Sequence, residues 1–507
     1  MTKIISLNMN KIIAKSNTYQ KAFKRFRSSV KSILFDGNHR RQTRNQLQKT
    51  VIRELTSDQY PKLSRQQVSW YLRYNEFSSG DLNDGVVKSY MTNQLAANNP
   101  IEDRAAEVRL HIDPDASTNK YIFGVIDGHG GPACAQVVSE RLFSYIAVML
   151  SPLSFLKGII VEDIDPCVGL TSRFTRKDYY HSTDMEEMYR VALQKLAHDQ
   201  LIAPSDECTV EDILKGAFMR LDHDILADAI PKEGSADLIN HETLSLAFTG
   251  ACANIAYIDG TDVYVANTGD CKAIIGQHID DETWMPVFLS NEHDANNDDE
   301  LDRIYGRHPG EKQTVIKNSR LLGDLAPLRA FGDARYKWPA RIMKHVLNVC
   351  NPNVISVYGE NLIPQNYQSP PYLTAEPDVM HYSLTPRDKF MVIASDGLWE
   401  NLGPQQVIDL VAAHMDERQI LTEFVLPREN ATLREINDIL KIRKRKLAKK
   451  PEDENVATHL LRMALGPNHT ILSQHLTLPE NLVRHYRDDI TITVVYFDTD
   501  FVAKKTT

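Results

Sequence analysis

The sequence predicts an α+β fold built from packed layers of strands and helices. Seven runs rich in β-branched and aromatic residues end or begin at turn signals such as Asp-Gly, which is typical of strands. Two of these runs, in "ANIAYIDGTDVYVAN", flank a short "DGTD" turn and predict a β-hairpin. Amphipathic helical segments lie between blocks of strands and do not follow every strand. A layered α+β domain is therefore expected, and a regular βαβ sheet is not.

The individual elements can be read along the sequence. The predicted strands are "YIFGVIDG", "LAFTGACANIAYIDG", "TDVYVANTGD", "KAIIG", "DVMHYSLT", "KFMVIASDG" and "ITITVVYF". The predicted helices include "PACAQVVSERLFSYIAVML", "MEEMYRVALQKLAHDQL", "VEDILKGAFMRLDHDILADAI" and "PQQVIDLVAAHM". The most apolar stretch, 142–161, is interrupted by Pro152 and Lys157, so it predicts a packed helix followed by a turn and no transmembrane segment.

The composition is that of a soluble globular protein, with 507 residues of which 42% are hydrophobic and 25% are charged. The six cysteines are scattered and form no CxxC pair or Cys/His cluster. This pattern argues against a zinc site and against a disulfide framework. A reducing compartment is the simpler interpretation.

The charge is divided unevenly along the sequence. The first 53 residues contain 13 lysines and arginines and a single acid, Asp36, whereas the whole protein has a net charge of −9. The remainder is strongly acidic, which disfavours nucleic acid as a partner and suits a basic partner or divalent cations. The first 35 residues are free of acid, and their apolar residues recur at helical spacing. They predict a mitochondrial transit peptide, and a disordered basic arm that binds an acidic surface is the alternative. We set residues 1–60 aside as this peptide and an N-terminal extension.

Two stretches look like insertions into the main domain, one near 151–208 and one near 415–454. The second contains the basic run "KIRKRKLAKK". Such a run is usually a solvated helix face, and the alternative is a surface for an acidic partner or cofactor.

Four acidic residues stand at strand ends or loop starts: Glu102, Asp127, Asp396 and Asp488. A lone Asp-Gly at the end of a strand is usually only a turn. If the strands share one sheet system, however, the carboxylates converge on one rim and repel each other unless a cation neutralises them. Oxygen ligands without a Cys/His cluster indicate Mg²⁺ or Mn²⁺ rather than zinc.

Several motifs occur in the order found in metal-dependent protein phosphatases of type 2C, and the sequence resembles that family over roughly residues 86–498. The motifs are "FGVIDGHGG", "FTGACANIAYIDGTDVYVANTGDCKA", "LSNEHDANNDDELDRI", "PLRAFGDARYKWP", "LTAEPDV", "IASDGLWE" and "YRDDITITVV". The resemblance implies a four-layer α-β-β-α sandwich, in which two antiparallel sheets are flanked by helices and a binuclear metal centre lies at one edge. It also implies that 61–500 is one catalytic domain with the two insertions.

The resemblance further implies the ligands of two Mg²⁺ or Mn²⁺ ions. Asp127 would bridge both metals and the carbonyl group of Gly128 would bind one of them. Asp396 and Asp488 would complete the coordination, and Glu102 would act directly or through water. Asp270 matches a position linked to a weaker third metal, with a turn residue as the alternative interpretation.

Metal-bound water in such a centre becomes a hydroxide near neutral pH, which predicts in-line attack on a phosphoserine without a phosphoenzyme. His129 lies two residues after Asp127, so it is expected to act as the general acid that protonates the departing serine oxygen. A capping or solvent-facing loop histidine is the alternative.

One position departs from the family pattern. Typical members have an arginine four residues before the glutamate that matches Glu102, where it binds the substrate phosphate. This protein has Asn98 there. A neutral amide cannot supply the charged, bidentate grip of a guanidinium. Either Asn98 and the metals suffice, or another cation enters the site.

The narrower resemblance is to the pyruvate dehydrogenase phosphatase subgroup, on "NQLAANNPIEDR", "LRAFGDARYKW", "PPYLTAEPDV" and "LPENLVRHYRDDITI" among other motifs. It implies a mitochondrial matrix enzyme that dephosphorylates and reactivates pyruvate dehydrogenase. It also implies docking on the lipoyl domain of the acetyltransferase core with Ca²⁺ as a candidate bridge, and a regulatory subunit. The sequence has no EF-hand loop, so a Ca²⁺ site would be shared with the partner. The alternatives are a type 2C phosphatase with another phosphoprotein substrate, and a non-catalytic scaffold of the same fold.

Overall fold

The computed structural model describes most of the sequence that follows the predicted transit peptide. The described residues are 62–82, 85–112, 119–161, 169–173, 183–202, 208–231, 241–280, 283–349, 362–421, 432–447 and 452–506. The predicted transit peptide and extension, 1–60, lie outside the described residues. So do Cys167, Cys350 and the last three residues of the basic run.

Fifteen strands occur in the described residues, and successive side chains along each strand point to opposite faces of its sheet. In sequence order they are β1 (Phe77–Ser78), β2 (Val87–Leu95), β3 (Arg104–Leu110), β4 (Lys120–His129), β5 (Thr171–Arg173), β6 (Gly250–Asp259), β7 (Asp262–Thr268), β8 (Lys272–Asp280), β9 (Thr283–Phe288), β10 (Ile316–Lys317), β11 (Arg320–Leu321), β12 (Phe331–Gly332), β13 (Asp378–Ser383), β14 (Asp388–Ala394) and β15 (Ile490–Phe497).

Sixteen helices accompany them in the same described ranges. They are α1 (Arg65–Arg73), α2 (Ala133–Leu150), α3 (Leu153–Val161), α4 (Thr183–Ile202), α5 (Val210–Asp228), α6 (His241–Phe248), α7 (Asp298–Arg307), α8 (Ala334–Lys337), α9 (Ala340–Val349), α10 (Asp396–Trp399), α11 (Pro404–Leu421), α12 (Leu433–Leu447), α13 (Val456–Leu465), α14 (His469–Thr477), α15 (Glu480–Val483) and α16 (Thr499–Thr506).

The strands form two large antiparallel sheets and one small hairpin. The first sheet has the order β1-β2-β15-β14-β8-β9, and the second has β13-β7-β6-β4-β3-β5 with β12 added beside β6. The predicted hairpin joins β6 to β7, with Asp259 opposite Asp262 across the turn. Strands that are distant in the sequence are neighbours, since β2 pairs with β15. This pairing brings the segment before β15 close to the segment after β2.

Three apolar layers hold the sheets and helices together. On β4, Tyr121 and Phe123 belong to the core between the two sheets, whereas Ile122 and Ile126 belong to the core beneath α2 and α5. On β14, Met391 and Ile393 belong to the same core between the sheets, whereas Phe390 and Val392 belong to a third core beneath α11 and α13. The order of layers is therefore helix, sheet, sheet, helix, which confirms the predicted sandwich. Its inter-sheet core is a set of buried side chains contributed by both sheets, as expected for aligned sheet packing.

Several predicted elements need correction. The strand predicted from "LAFTG" onwards begins only at Gly250, because Leu246, Ala247 and Phe248 form the last turn of α6. Ala247 and Phe248 of this turn pack in a cluster with Ala334, Trp338 and Met343, and Leu246 belongs to the core beneath the second sheet. The other predicted helices are present. The stretch 142–161 begins with a helix end and a turn at Ser151, as expected, and then forms a second helix that was not predicted.

The helix α2 is, among the described residues, the one that is long and apolar enough to cross a membrane. Within the fold, 83% of it is buried. Its side chains fill the core beneath the second sheet, so the apolar character of this helix is explained by packing.

The two predicted insertions contain regular structure where they are described. In 151–208, β5 pairs with β3 at the edge of the second sheet, and α3 and α4 pack on its helical layer. In 415–454, α12 follows the end of α11. The domain limits and the insertions themselves stay predictions.

Candidate active site

Asp127 lies within a strand and not at its end. The sequence suggested that "VIDG" stops a strand, but β4 continues through His129 because Asp127, Gly128 and His129 pair with β6. The turn follows at Gly130 and Gly131, whose φ angles are +71° and +133°. These values are readily adopted only by glycine. The Asp-Gly pair is therefore not the turn, and Asp127 is held in the regular register of a central strand.

Gly128 permits a close approach of the backbone at Glu102. A Cβ atom at Gly128 would overlap the carbonyl oxygen of Glu102. The loop before β3 therefore packs directly on the backbone of β4. This contact places the Glu102 side chain, which is almost fully buried, beside the end of β4.

The other two predicted acids reach the same rim from the first sheet. Asp396 is the first residue of α10, directly after β14, and Ser395 precedes the helix in an extended conformation. Asp488 stands two residues before β15, the strand that pairs with β14. Neighbouring antiparallel strands bring the end of one beside the start of the next. The acids that were predicted to converge are thus brought together.

Burial and mutual repulsion dominate the electrostatics of this rim. Burial raises the pKa of Asp127 well above its ordinary value, and the charges of Asp103 and Asp396 raise it further. Burial likewise raises the pKa of Asp396 well above the ordinary range, with Asp270 and Asp488 adding to the effect. Because these carboxylates disfavour each other's charge, a cation between them would be stabilising, and the rim is a candidate cation site.

Asp103 is a member of this cluster that the sequence did not reveal. It is buried, and its carboxylate accepts a hydrogen bond of 2.8 Å from the Ser395 hydroxyl. Burial and the neighbouring Asp489 raise its pKa to about 8. Its position beside Glu102 in "IEDR", directly before the strand β3 that pairs with β4, could have indicated that it belongs to the cluster.

Asp270 also belongs to the cluster, although a turn residue was the alternative interpretation of it. It lies in the turn between β7 and β8, and burial is the main reason that its pKa is raised. His293 holds this turn from both sides: its backbone N–H donates to the Gly269 carbonyl oxygen at 2.9 Å, and its Nδ1 accepts from the Gly269 N–H at 3.1 Å.

The donor set fits hard divalent cations. The converging groups are carboxylates. Burial raises the thiol pKa of Cys252 and Cys271, which disfavours both as ionised ligands. Oxygen donors of this kind suit Mg²⁺ or Mn²⁺. A cation at this rim would remove the repulsion that raises the pKa values.

A second group of possible metal ligands consists of His293, Glu300 and Asp378. Its carboxylates already have cationic partners. Arg329 bonds Glu300 with two nitrogens and Asp378 with Nη1 at 2.9 Å, and Arg303 Nη2 bonds Glu300 at 2.7 Å. A network neutralised by two guanidinium groups has no need of a metal. Its role is to fix His293 and, through it, the turn before Asp270.

His129 has a carboxylate partner that the sequence did not reveal. Its Nε2 lies 2.6 Å from Asp333 Oδ2. Burial opposes the charged imidazolium, but the Asp333 carboxylate outweighs it and raises the pKa of His129. The pair is 204 residues apart in the sequence, so only the fold brings it together. The ring is held in place and is held towards its protonated form.

Asn98 is engaged within the protein. Its side-chain amide donates to Asp489 Oδ2 at 3.1 Å, and its backbone N–H donates to Asp489 Oδ1 at 2.9 Å. The N–H of Ala97 and that of Glu102 donate to the same carboxylate. Asp489 therefore organises the whole loop that positions Glu102. The signal for it was the doubled acid in "RDD", of which only Asp488 was singled out.

Comparisons with known proteins show the family to which this sequence belongs. The family model described as Protein phosphatase 2C matches residues 180–436. The mitochondrial pyruvate dehydrogenase (acetyl-transferring) phosphatase 1 of Homo sapiens is 38% identical over 457 residues, which cover 87% of this chain and 84% of that protein. The mitochondrial phosphatase 2 of the same name in Homo sapiens is 37% identical, covering 88% and 85%.

Among solved structures, serine-threonine phosphatase 2C from Toxoplasma gondii is 16% identical, covers 83% of this chain and 99% of its own, and has a TM-score of 0.42. The family match spans just over half of this protein, and the mitochondrial relatives extend the likeness over most of the remainder. The protein belongs to the protein phosphatase 2C family.

Proposed function

We propose that this protein is a Mg²⁺- or Mn²⁺-dependent phosphoserine/phosphothreonine protein phosphatase that acts on phosphorylated pyruvate dehydrogenase. The observation that supports the activity most directly is the convergence of Asp127, Asp396 and Asp488, whose mutual repulsion would be relieved by cations. A non-catalytic scaffold has no need to keep such a costly cluster. The substrate is inferred from the relatives, whose names specify pyruvate dehydrogenase and most of whose length is matched here.

Asp127, Asp396 and Asp488 are proposed to hold two metal ions, together with the Gly128 carbonyl group and Glu102. Asp270 is proposed to contribute to a weaker third site. When bound, the cations supply an acidified water as nucleophile and neutralise charge on the phosphoryl oxygens. The protein's own contribution is to hold these ligands rigidly, through the register of β4 and the hydrogen bonds that Asp489 accepts.

His129 is proposed to protonate the departing serine oxygen. Because its Nε2 is bonded to Asp333, the transferable proton would come from Nδ1 of the doubly protonated ring. Asp333 then fixes the orientation of the ring and favours its protonated form, since its carboxylate raises the pKa of His129. Proton donation to the leaving group is the step for which a serine alkoxide most needs assistance.

The location and partners are proposed on the relatives and on the basic first 53 residues. We infer a mitochondrial location, with the matrix as the specific compartment, and a transit peptide within residues 1–60. Docking on the lipoyl domain of the acetyltransferase core, the part played by Ca²⁺ and a regulatory subunit stay predictions of the resemblance.

The decisive experiment measures phosphate release from phosphorylated pyruvate dehydrogenase by the purified protein, with Mg²⁺, with Mn²⁺ and with a chelator. We expect release that depends on the metal. Asp127→Asn should reduce kcat/KM by roughly a hundredfold or more, because the metals supply several kcal/mol of transition-state stabilisation. Asp302→Asn, at an exposed position of α7, is the matched control and should behave like the wild type.

Two results would count against the proposal in different ways. Metal-dependent release from unrelated phosphoproteins but not from pyruvate dehydrogenase would refute the substrate. Undiminished release by the Asp127→Asn protein would refute the assignment of the metal centre.

A further inference from the structure

An open cavity of about 340 Å³ borders the candidate active site. One wall is formed by Ala97, Asn98 and Asn99, and the other by Glu480, Arg484 and His485. The cavity lies where the loop after β2 meets the segment before β15. It therefore offers an approach to the acidic rim for a group that enters from solvent.

Arg484 links this cavity to the acidic rim. Its Nη2 lies 3.7 Å from Glu102 Oε2. The Glu102 carboxylate is in turn close enough to Asp488 and His129, which belong to the same rim, for their charges to act on its pKa. A guanidinium at this point stands between the cavity and the carboxylates that are proposed to hold the metals.

The guanidinium of Arg484 is available to a ligand. Its side chain is 58% exposed, and its contact with Glu102 is longer than a hydrogen bond. An ion pair of this length, made by a guanidinium that faces solvent, is weak and is easily exchanged for a better anion. The amide of Asn98, which faces the same cavity, is neutral and already donates to Asp489.

The backbone that presents Arg484 is held firmly against the loop on the opposite wall. Arg484 caps the short helix α15, and the next turn is closed by hydrogen bonds from the N–H groups of His485 and Tyr486. Arg487 is buried and donates through Nη2 to the Ala96 carbonyl oxygen at 2.5 Å. The two walls of the cavity therefore form one unit, and the cation is preorganised relative to the metal ligands.

We propose that Arg484 binds the phosphate of the phosphoserine or phosphothreonine substrate, as the cation that position 98 lacks. A guanidinium pairs with two phosphate oxygens in a planar, bidentate geometry. The substrate phosphate would lie between Arg484 and the cations that the carboxylates are proposed to hold, and the long contact of Arg484 with Glu102 would be given up on binding. This inference rests on the proposed phosphatase function and assigns the residue that recognises its substrate group.

The test measures phosphate binding and turnover separately, on the full-length protein loaded with Mn²⁺. The affinity for inorganic phosphate is measured by titration calorimetry, and kcat and KM are measured on phosphorylated pyruvate dehydrogenase. In Arg484→Ala we expect the Kd for phosphate and the KM to rise about 10- to 100-fold, the loss expected when a charged hydrogen-bonding partner is removed. Arg484→Lys should lie between Arg484→Ala and the wild type, because a lysine keeps the charge and loses the bidentate geometry.

Arg341→Ala, at an exposed position of α9, is the control for removal of a surface arginine and should leave both values unchanged. An unchanged phosphate Kd in Arg484→Ala would overturn the inference even if the enzyme is active. Weaker phosphate binding in Arg484→Ala would support it even if another phosphoprotein proves to be the substrate. The calorimetric result is thus independent of the proposed substrate.

Discussion

His129 and Asp333 form a largely buried ion pair, with 2.6 Å between His129 Nε2 and Asp333 Oδ2, although 204 residues separate them in the sequence. Asp333 adopts a left-handed conformation with φ of +52° at the start of α8, which turns its carboxylate towards β4. Such a conformation is unfavourable for aspartate unless the surrounding contacts enforce it. The pair is therefore a specific feature of this corner of the fold.

Asp333→Asn should lower kcat more than it raises KM. The carboxylate raises the pKa of His129, so its loss lowers that pKa and leaves less of the protonated acid at neutral pH. We expect kcat near pH 7 to fall by about ten- to a hundredfold, a part of what a positioned acid supplies. The alkaline limb of the kcat profile should move to lower pH. A profile of unchanged shape, merely scaled down, would contradict the role given to Asp333.

Gly250→Ala should disrupt the same pair by a different route. A Cβ atom at Gly250 would overlap both His129 Nε2 and Asp333 Oδ2. The methyl group must displace one of the two side chains, so we expect a loss of kcat similar to that of Asp333→Asn. The double variant should be little worse than either single variant, because both remove one interaction. Gly306→Ala, where nothing lies near the added atom, is the control.

Lys337→Met should destabilise the protein strongly. Lys337 Nζ donates to both oxygens of Asp222 at 2.7 Å and to the Ala330 carbonyl oxygen at 2.7 Å, and both side chains of the pair are buried. Removing the lysine leaves a buried carboxylate without its cation, which costs about 3–5 kcal/mol. Urea unfolding of the variant measures this free energy.

The companion variant Asp222→Leu/Lys337→Met separates the ion pair from its packing. Replacing both charges by apolar groups should recover most of the stability lost in Lys337→Met. A double variant as unstable as the single one would show instead that Asp222 is needed for its bond to the Gly332 N–H, which lies 2.8 Å away.

The sequence predicted the groups whose signal is local and missed those whose partners are distant. Asp127, Asp396 and Asp488 could be found because each lies at or near a strand recognisable by its own residues. The continuation of β4 to His129 could not be found, because it depends on pairing with Cys252 and its neighbours in β6. Asp333 was missed for the same reason.

Two further differences have local causes that composition conceals. Leu246 to Phe248 have the apolar character of a strand, but they complete α6, and the strand starts after Thr249. Asp489 stands beside Asp488 in the sequence, yet its carboxylate accepts hydrogen bonds from backbone N–H groups of the loop that contains Asn98. Two adjacent aspartates thus serve different purposes, and only the pairing of β2 with β15 distinguishes them.

Removal of the metals should make the stability of the protein fall as the pH rises. Burial and repulsion raise the pKa of Asp103 to about 8 and those of Asp127 and Asp396 well above the ordinary value. An unfolded aspartate has a pKa of about 3.9, so the folded, metal-free protein binds more protons than the unfolded state between these values. The contribution of these carboxylates to stability is then greatest at low pH and declines as the pH rises through about 4 to 8.

Thermal unfolding between pH 5.5 and 8.5, with a chelator or with Mn²⁺, tests this expectation. The increase in Tm on adding Mn²⁺ should be larger at about pH 8.5, because the cations replace the protons that the carboxylates would otherwise need. Asp127→Asn removes one of the repelling charges, so its metal-free form should unfold at a higher temperature than the wild type at this pH while gaining less from Mn²⁺. Asp302→Asn should follow the wild type in both respects. If the Mn²⁺ shift were the same at every pH, the raised pKa values of this cluster would have no part in metal binding, and the candidate centre would have to be sought elsewhere.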